Sequence, residues 1–442
     1  MPSRSEVAYF GAGPASLPTA ALEQAAASLL NHENQGLGLG EISHRSPTAN
    51  KVIADAKAAL VHLLDIPDSY DIIFMQGGGS GEFSAVVQNL VSAWVERRRR
   101  NAVAELGEAK DEEVLQRVRE ELEAMRVEYL VTGSWSLKAS QEAARLLGPK
   151  YVNVALDARK FREGSRFGAI PDEQKWAGNL VKQKGASALT YFCDNETVDG
   201  VEFPAFPKCL DGNEETEAGD ERIVVADMSS NFLSRSVDVK KYSVIFGGAQ
   251  KNLGLPGITL LIIRNSLLSL TPPVAFMHSL SAQLPNAIPP VVFDFATLAK
   301  NNSLYNTLPI FNLYVATLVL QDLDRNCGAR RIAAQQEVAE RKAARIYAVL
   351  DKYEWKNGEG VYGVVPEKGA RSRMNVCFRV KGGDEAEEKR FVKEAEGRGL
   401  LGVKGHRSVG GIRVSNYNAV GEESVERLCG FLKEFAEGPK GA

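Results

Sequence analysis

The apolar residues of this chain fall into short runs that are separated by longer segments with helical periodicity. Seven runs are rich in β-branched residues, and most show no apolar–polar alternation, as expected for strands covered on both faces. Strands separated by helix-length segments indicate crossover connections and a mainly parallel sheet. The seven predicted strands are residues 71–75, 128–131, 151–155, 188–193, 223–226, 243–246 and 259–263.

A different pattern begins beyond about residue 300. A helical stretch at residues 321–350 precedes two strand–helix pairs, at residues 374–380, 384–398, 411–415 and 422–437. This order favours a smaller α+β domain. We therefore predict an α/β fold with a large domain and N-terminal arm at residues 1–300 and a small C-terminal domain at residues 301–442.

Residues 96–126 differ from the rest of the first domain. They are rich in helix-forming residues with opposite charges at helical spacing, which predicts a solvated surface helical insertion. Arg97 to Arg100 could instead form a nucleic-acid patch. Acidic residues follow them at once and no aromatic residues lie among them, so we favour the surface helix.

Composition excludes several classes of protein. The chain has 442 residues and a formal net charge of −3, which disfavours neutralisation of a nucleic-acid backbone. Its five cysteines include no CxxC pair, so we expect reduced thiols and no metal site. The longest apolar runs are strand-sized, and the first residues contain no apolar signal segment. We expect a soluble cytoplasmic protein that binds small molecules and neither nucleic acid nor membrane.

Lys251 is the strongest candidate for chemistry. It lies in the motif GAQKN, residues 248–252, just after a predicted strand. Ligands of α/β folds collect at that end of the sheet. A lysine there can form a Schiff base with an aldehyde cofactor if its neighbours lower its pKa. The alternative is an ordinary exposed lysine.

Asp227 ends another predicted strand and would lie at the same edge of the sheet. An acid that pairs with a pyridinium nitrogen keeps the ring of pyridoxal phosphate protonated, so that the ring can accept electrons. Taken alone, Asp227 could equally cap a turn.

Three further segments follow predicted strands. The glycine-rich run at residues 76–83 opens onto a helical pattern, and its successive amides suit a phosphate. Trp135 could stack on a flat ring, and Thr197 could bond a ring hydroxyl or a phosphate. A glycine-rich turn, a packed tryptophan and a turn threonine are the structural alternatives. Taken together with Lys251 and Asp227, these segments place one set of chemical groups at one sheet edge.

Eight motifs resemble the phosphoserine aminotransferase family, a branch of the class-V aminotransferases, and occur in that family's order. They are FGAGPASLP (10–18), EISHRS (41–46), TGSWS (132–136), NETVDGVE (195–202), GAQKN (248–252), SLYNTLPIF (303–311), RSRMNV (371–376) and KGHRSVGGIRVSNYNA (404–419). The resemblance spans nearly the whole chain. It implies the fold type I of pyridoxal-phosphate enzymes and an aminotransferase activity.

The resemblance also implies roles for individual residues. Lys251 would bind pyridoxal 5′-phosphate covalently, Asp227 would pair with its ring nitrogen, and Trp135 would stack on the ring. Additional contacts with the ring or the phosphate are implied for Gly79, Ser80, Thr197 and Gln250. Asn306 and Thr307 would reach the cofactor phosphate from a second subunit, which implies a homodimer with shared sites.

The substrate would carry a carboxylate and a phosphate, so two anion sites are needed. Arg413 suits the carboxylate because its planar guanidinium can bind it through two hydrogen bonds. His406 and Arg407 could face the phosphate. The resemblance assigns a second pair, His44 and Arg45, to the neighbouring subunit's site.

The implied reaction transfers the amino group of glutamate to 3-phosphohydroxypyruvate and gives phosphoserine and 2-oxoglutarate, a step of serine biosynthesis. Alternatives of the same fold are an alanine–glyoxylate aminotransferase and a cysteine desulfurase, which do not need two cationic pairs around a phosphate. A non-catalytic pyridoxal-binding regulator is a third alternative, and it predicts a fused DNA-binding module.

Overall fold

The computed structural model describes residues 3–107, 110–211 and 221–438. Its strands are β1 Ala8–Tyr9, β2 Tyr70–Met75, β3 Arg126–Val131, β4 Val152–Asp157, β5 Ser187–Cys193, β6 Asn195–Glu196, β7 Val201–Glu202, β8 Val224–Asp227, β9 Val244–Gly248, β10 Thr259–Arg264, β11 Tyr362–Val364, β12 Asn375–Val380, β13 Leu400–Leu401 and β14 Ile412–Ser415. Its helices are α1 Thr19–Leu30, α2 Pro47–Leu64, α3 Gly78–Leu106, α4 Asp111–Leu122, α5 Ser134–Leu147, α6 Asn265–Leu268, α7 Val274–Ser279, α8 Phe295–Lys300, α9 Ile310–Cys327, α10 Ile332–Lys352, α11 Glu385–Gly397 and α12 Glu422–Glu437.

All seven predicted strands of the large domain form one sheet, in the order β2-β10-β9-β8-β5-β3-β4. Strand β10 pairs antiparallel with both of its neighbours, and the other pairs are parallel. The predicted mainly parallel α/β sheet is therefore confirmed. Parallel strands bring their carboxyl ends to one edge, where the predicted site residues follow β2, β3, β5, β8 and β9.

The sheet is covered on both faces, which explains the continuous apolar runs in the sequence. Alternate residues of β2 enter different cores, with Ile72 and Phe74 on one face and Ile73 and Met75 on the other. Helices α2 and α9 cover the first face, and α3, α4 and α5 cover the second.

The described part of the segment at residues 96–126 is helical, and α4 exposes charged residues such as Asp111 and Glu112 on one face while its other face is buried. Helix α3 continues without a break to Leu106, and α4 packs against it and buries Val114 and Leu122. Glu96 is 2% exposed, and its carboxylate lies 2.8 Å from Arg99 Nε and 2.6 Å from Arg100 Nε. Because these arginines are paired within the protein, they do not form a free cationic patch.

The smaller unit contains a three-stranded antiparallel sheet, β11-β12-β14, covered by α10, α11 and α12. Its core also receives Ala8 and Phe10 from the N-terminal arm, and β1 pairs with β13. The long helical stretch predicted at 321–350 is two helices, because the chain turns at Gly328 and Arg331, where φ is 55° and 48°.

The packing differs from the predicted division at residue 300. Helix α9 and the residues up to Ala334 belong to the core of the large sheet, whereas α10 contributes to the core of the small domain from Ala343 onward. The two cores therefore meet within α10. The pattern of a helix shows which face is buried, but it does not show which of two domains that face packs against.

Four of the five cysteines are buried, and none of the five forms a disulfide in the structure. Within the described residues no helix combines the length and the apolar character needed to cross a membrane.

Candidate active site

A cavity of about 400 Å³ lies at the carboxyl ends of the central strands, and residues of the small domain close one side of it. Nine of the predicted residues line it: Gly79, Ser80, Trp135, Thr197, Asp227, Gln250, Lys251, His406 and Arg413. The structure thus brings together residues that are up to several hundred positions apart in the sequence.

Lys251 reaches the cavity from the turn after β9. Its Nζ donates a hydrogen bond to Thr197 Oγ1 over 2.8 Å. Burial lowers the pKa of Lys251, while the carboxylate of Asp227 opposes this shift. A lowered pKa increases the share of neutral amine, which is the form that attacks a carbonyl carbon.

Asp227 is the last residue of β8 and is 4% exposed. Its Oδ1 accepts a hydrogen bond from the amide of Ser229 over 2.8 Å, and its Oδ2 accepts a long one from Tyr191 Oη over 3.4 Å. Burial raises the pKa of Asp227, whereas Ser229, Lys251 and Tyr191 favour the ionised form. A buried carboxyl in this state would gain from a nearby cation such as a protonated ring nitrogen.

The glycine-rich turn leaves two backbone amides open to the cavity. Gly77 and Gly78 have φ of 115° and 62°, which a residue with a side chain rarely adopts. The amide of Gly78 donates to Thr259 Oγ1, and that of Gly81 donates to the carbonyl of Gly77. Among the described residues the amides of Gly79 and Ser80 have no acceptor. Such amides at a helix N-terminus form an anion site.

Trp135 is the second residue of α5 and presents its indole to the cavity. Its Nε1 is buried without a hydrogen-bond partner, and Lys138 Nζ lies 4.3 Å from the ring centroid. A flat aromatic wall beside an amine, a carboxyl group and two open amides fits pyridoxal phosphate, which needs all four.

Arg413 and His406 form the side of the cavity that belongs to the small domain. Arg413 Nη1 donates to the carbonyl of Thr197 over 3.4 Å, and its Nε is buried without a partner. Burial lowers the pKa of His406, and the cations Arg413, Lys138 and Arg407 lower it further. His406 is therefore less cationic than the sequence suggested, while Arg413 keeps donors free for an anion.

Five predicted residues do not line the cavity: His44, Arg45, Asn306, Thr307 and Arg407. Arg407 is exposed at its margin, next to His406. His44 and Arg45 precede α2, where Ser46 caps the helix by accepting from the amide of Ala49 over 3.1 Å. Asn306 Nδ2 donates to Gln76 Oε1 over 2.7 Å, directly before the glycine-rich turn.

Sequence reasoning missed several residues of the site. Cys193, Asn195, Ser229 and Ser230 line the cavity, and each lies within a few residues of a strand end that the sequence had indicated. Glu196 and Asp199 lie in the same NETVDG motif as Thr197 and are buried. The sequence signal that could have identified them is the presence of two acidic residues in a motif of small and polar residues.

Glu82 is a buried acid that the sequence did not single out. It lies in α3, is 0% exposed, and both carboxyl oxygens lack a hydrogen-bond partner. Burial raises its pKa well above the usual range, and the neighbouring Asp227 adds to the shift. Such a group is protonated in the folded protein at a pH where it is ionised in the unfolded chain.

We predict that Glu82→Gln changes the pH dependence of stability. Because the folded pKa lies above the unfolded one, the free energy of unfolding of the parent should fall as the pH rises above about 4.5. The fall is up to about 1.4 kcal/mol per pH unit until the folded pKa is reached. The variant lacks this titration. Urea unfolding of both cofactor-free proteins at pH 5 to 8 measures the difference, and parallel profiles would contradict the prediction.

Comparisons with known proteins agree with this geometry. A model of the family "Aminotransferase class-V" matches residues 7–190 and 184–428. Phosphoserine aminotransferase of Saccharomyces cerevisiae is 43% identical over 436 residues, which cover 98% of each chain. The enzyme of the same name from Drosophila melanogaster is 36% identical over 98% of this chain and 100% of its own.

Solved structures give the same result. Phosphoserine aminotransferase from Bacillus circulans subsp. alkalophilus has a TM-score of 0.76 at 32% identity and covers 97% of this chain and 98% of its own. The phosphoserine aminotransferase from Trichomonas vaginalis, solved with bound PLP, has a TM-score of 0.74 at 31% identity. It covers 97% of this chain and 100% of its own. The alanine–glyoxylate aminotransferase of Nostoc sp. is 15% identical with a TM-score of 0.61 and shares the fold. The chain belongs to the phosphoserine aminotransferase family of class-V aminotransferases.

Proposed function

We propose that the chain transfers the amino group of glutamate to 3-phosphohydroxypyruvate with pyridoxal phosphate as its cofactor. The observation that carries the proposal is one cavity in which the Lys251 amine, the buried Asp227 carboxyl and the open amides of Gly79 and Ser80 surround a space flanked by Trp135. Each of these groups meets one chemical need of the cofactor.

Lys251 would act twice in each half-reaction. Its Nζ would bind the cofactor covalently and, once displaced by glutamate, would remove the proton from the α-carbon. The hydrogen bond to Thr197 Oγ1 holds Nζ beside the residue whose carbonyl accepts from Arg413 Nη1. Bound pyridoxal phosphate supplies an electron-withdrawing ring that stabilises the negative charge left at the α-carbon.

The other residues would bind and orient the reactants. Asp227 would hold the ring nitrogen protonated, Trp135 would stack on the ring, and Gln250 would contact the ring or the phosphate. Arg413 would bind the substrate carboxylate through its two terminal nitrogens, which are free apart from a long hydrogen bond to Thr197. His406 and Arg407, at the margin of the same cavity, would contact the substrate phosphate.

We further propose a cytoplasmic homodimer that serves the biosynthesis of L-serine. His44, Arg45, Asn306 and Thr307 would complete the site of the partner subunit. In support, Arg45 and Thr307 are exposed, and none of the four lines the cavity of its own chain. Arg45 and Thr307 are thus open to an anion in a second copy of the chain, whereas Asn306 also contacts Gln76 of its own chain.

A half-reaction tests the proposed substrate. The absorption spectrum of the bound cofactor should change on addition of phosphoserine or glutamate, because each donates its amino group to the cofactor. Alanine is the matched control, since it offers the same amino acid core without a second anion. A spectrum that responds to alanine and not to phosphoserine would contradict the proposal and favour the alanine–glyoxylate alternative.

A mixing experiment tests the shared site. Lys251→Ala and Arg45→Ala protomers should each be strongly impaired alone. If Arg45 serves the partner's pocket, a heterodimer places both lesions in one pocket and leaves the other intact. Mixing should then restore up to about half of the activity of a parent dimer in each heterodimer. Each variant mixed with itself is the control. If mass spectrometry shows exchange of protomers and no activity returns, Arg45 acts within its own chain.

A further inference from the structure

We infer that Glu196 and Asp199 are positioning residues, whose carboxyl groups cap the helix that carries Trp135 and so hold its indole at the cofactor site. The inference rests on the stacking role proposed above for Trp135. It concerns two acids that do not line the cavity and that the proposed chemistry does not use.

The first turn of α5 has three amides that its own helix cannot satisfy. The amide of Ser134 donates to Asp199 Oδ2 over 2.7 Å, that of Trp135 to Glu196 Oε2 over 2.8 Å, and that of Ser136 to Glu196 Oε1 over 2.9 Å. Ser136 Oγ also donates to Glu196 Oε1 over 2.5 Å. The two carboxyl groups thus accept all three free amides, including the amide of Trp135 itself.

The contact between the acid and the helix is close. A Cβ atom at Gly133, which precedes α5, would lie 2.4 Å from Glu196 Cδ, so only glycine fits there. Strands β6 and β7 pair at Asn195 with Glu202 and at Glu196 with Val201, which makes the segment between them a tight turn. The turn therefore holds the carboxyl of Glu196 rigidly against the start of α5.

The same turn contacts two other parts of the site. Between Glu196 and Asp199, the side chain of Thr197 accepts from Lys251 Nζ, and its carbonyl accepts from Arg413 Nη1. One short segment therefore sets the positions of the stacking ring, the reactive amine and the proposed carboxylate-binding arginine relative to one another.

Opposing electrostatic effects act on the two carboxyl groups that cap α5. Burial raises the pKa of Glu196, and Asp199 raises it further, whereas the amides and hydroxyl of α5 lower it. Burial also raises the pKa of Asp199, while the amide of Ser134 and the charge of Arg413 lower it. Because both acids are buried, water cannot replace a lost acceptor.

Glu196→Gln and Asp199→Asn test the inference. Each substitution keeps the size of the side chain but replaces one acceptor oxygen of the carboxyl group with an NH2 group that faces a backbone amide. In the cofactor-free protein, the fluorescence emission of Trp135 should shift in wavelength. Acrylamide should also quench this emission more strongly, because the indole becomes more accessible. The emission of Trp135 is obtained by subtracting the spectrum of the same variant that also carries Trp135→Ala. The dissociation constant for pyridoxal phosphate should rise up to about tenfold, the effect of losing one aromatic stacking contact, because the cap acts on the cofactor through Trp135.

A double-mutant cycle separates positioning from general stability. If Glu196 acts through Trp135, Glu196→Gln should not weaken cofactor binding further in the Trp135→Ala background. Asp384→Asn is the matched control, because Asp384 caps α11 in the small domain by accepting from the amide of Glu387 over 2.9 Å. It should lower the melting temperature and leave the emission of Trp135 and the dissociation constant unchanged.

Three results would overturn the inference: an unchanged Trp135 emission, a dissociation constant within twofold of the parent for both acid variants, or full additivity in the cycle. Asp199→Asn provides the test if Glu196→Gln fails to fold. Transamination of phosphoserine by the parent is measured separately. A failed proposal about function therefore remains distinguishable from a failed proposal about the cap.

Discussion

Lys251→Ala is expected to lower the rate of transamination by about 10³-fold or more, since the variant loses both the covalent anchor and the group that moves the α-proton. The amine is unusually well placed for both tasks, because its pKa is lowered by burial and its Nζ is held by Thr197. Cofactor binding should persist through the amides of Gly79 and Ser80. Stopped-flow absorbance with glutamate measures the rate.

Two further observations complete this test. Borohydride reduction of the parent should add the mass of the cofactor less one oxygen to the peptide that contains Lys251, because the Schiff base forms with loss of water and then gains two hydrogens, and the variant should not be labelled there. Lys300→Ala is the control, because Lys300 is exposed at the end of α8 and should behave like the parent. Turnover by Lys251→Ala within a few-fold of the parent would refute the proposed mechanism.

Asp227→Asn is expected to lower the rate by about 10²–10³-fold, the usual effect of removing one preorganised electrostatic contact from an active site. A neutral amide cannot balance the charge of a protonated ring nitrogen, so the ring would withdraw electrons less strongly. The fold should survive, because burial already raises the pKa of Asp227 and penalises its charged form.

The comparison needs two controls. Asp238→Asn changes an aspartate that does not line the cavity and whose carboxylate accepts from the amide of Lys240, and it should have almost no effect on the rate. Tyr191→Phe removes only the long hydrogen bond to Asp227 and should have a small effect. If Asp227→Asn keeps a rate within a few-fold of the parent, Asp227 is a turn residue, which was the structural alternative from the sequence.

The sequence predicted the strands of the large sheet with bounds that differ from the structure by one or two residues at most ends. Strands covered on both faces need continuous apolar residues, and that need is visible in a single chain. The bounds of α12 are those predicted, because the repeat of buried residues ends where Gly438 follows. The sequence also predicts that Asp227 and Lys251 lie close together, since neighbouring parallel strands end at the same edge of the sheet.

Only the tertiary structure decided which surfaces pack together. Helices α9 and α10 both bury apolar residues, yet α9 packs on the large sheet and most of α10 on the small domain. The N-terminal residues Ala8 and Phe10 join a core whose other members lie more than three hundred residues away. A periodic pattern specifies a buried face but not its partner, so such contacts cannot be derived from the chain alone.

The partners of the charged residues at the site likewise could not be derived from the sequence. The acids of the segment at 96–126 indicated a solvated helix, and Asp111 and Glu112 are exposed, whereas Glu96 is buried and paired with Arg99. The motif that contains Glu196 and Asp199 did not reveal their partners, because these are the amides of a helix that begins some sixty residues earlier. The sequence alone determined which elements form and which carry the reactive groups. The tertiary structure decided which buried charges receive a partner, because that depends on donors brought together by folding.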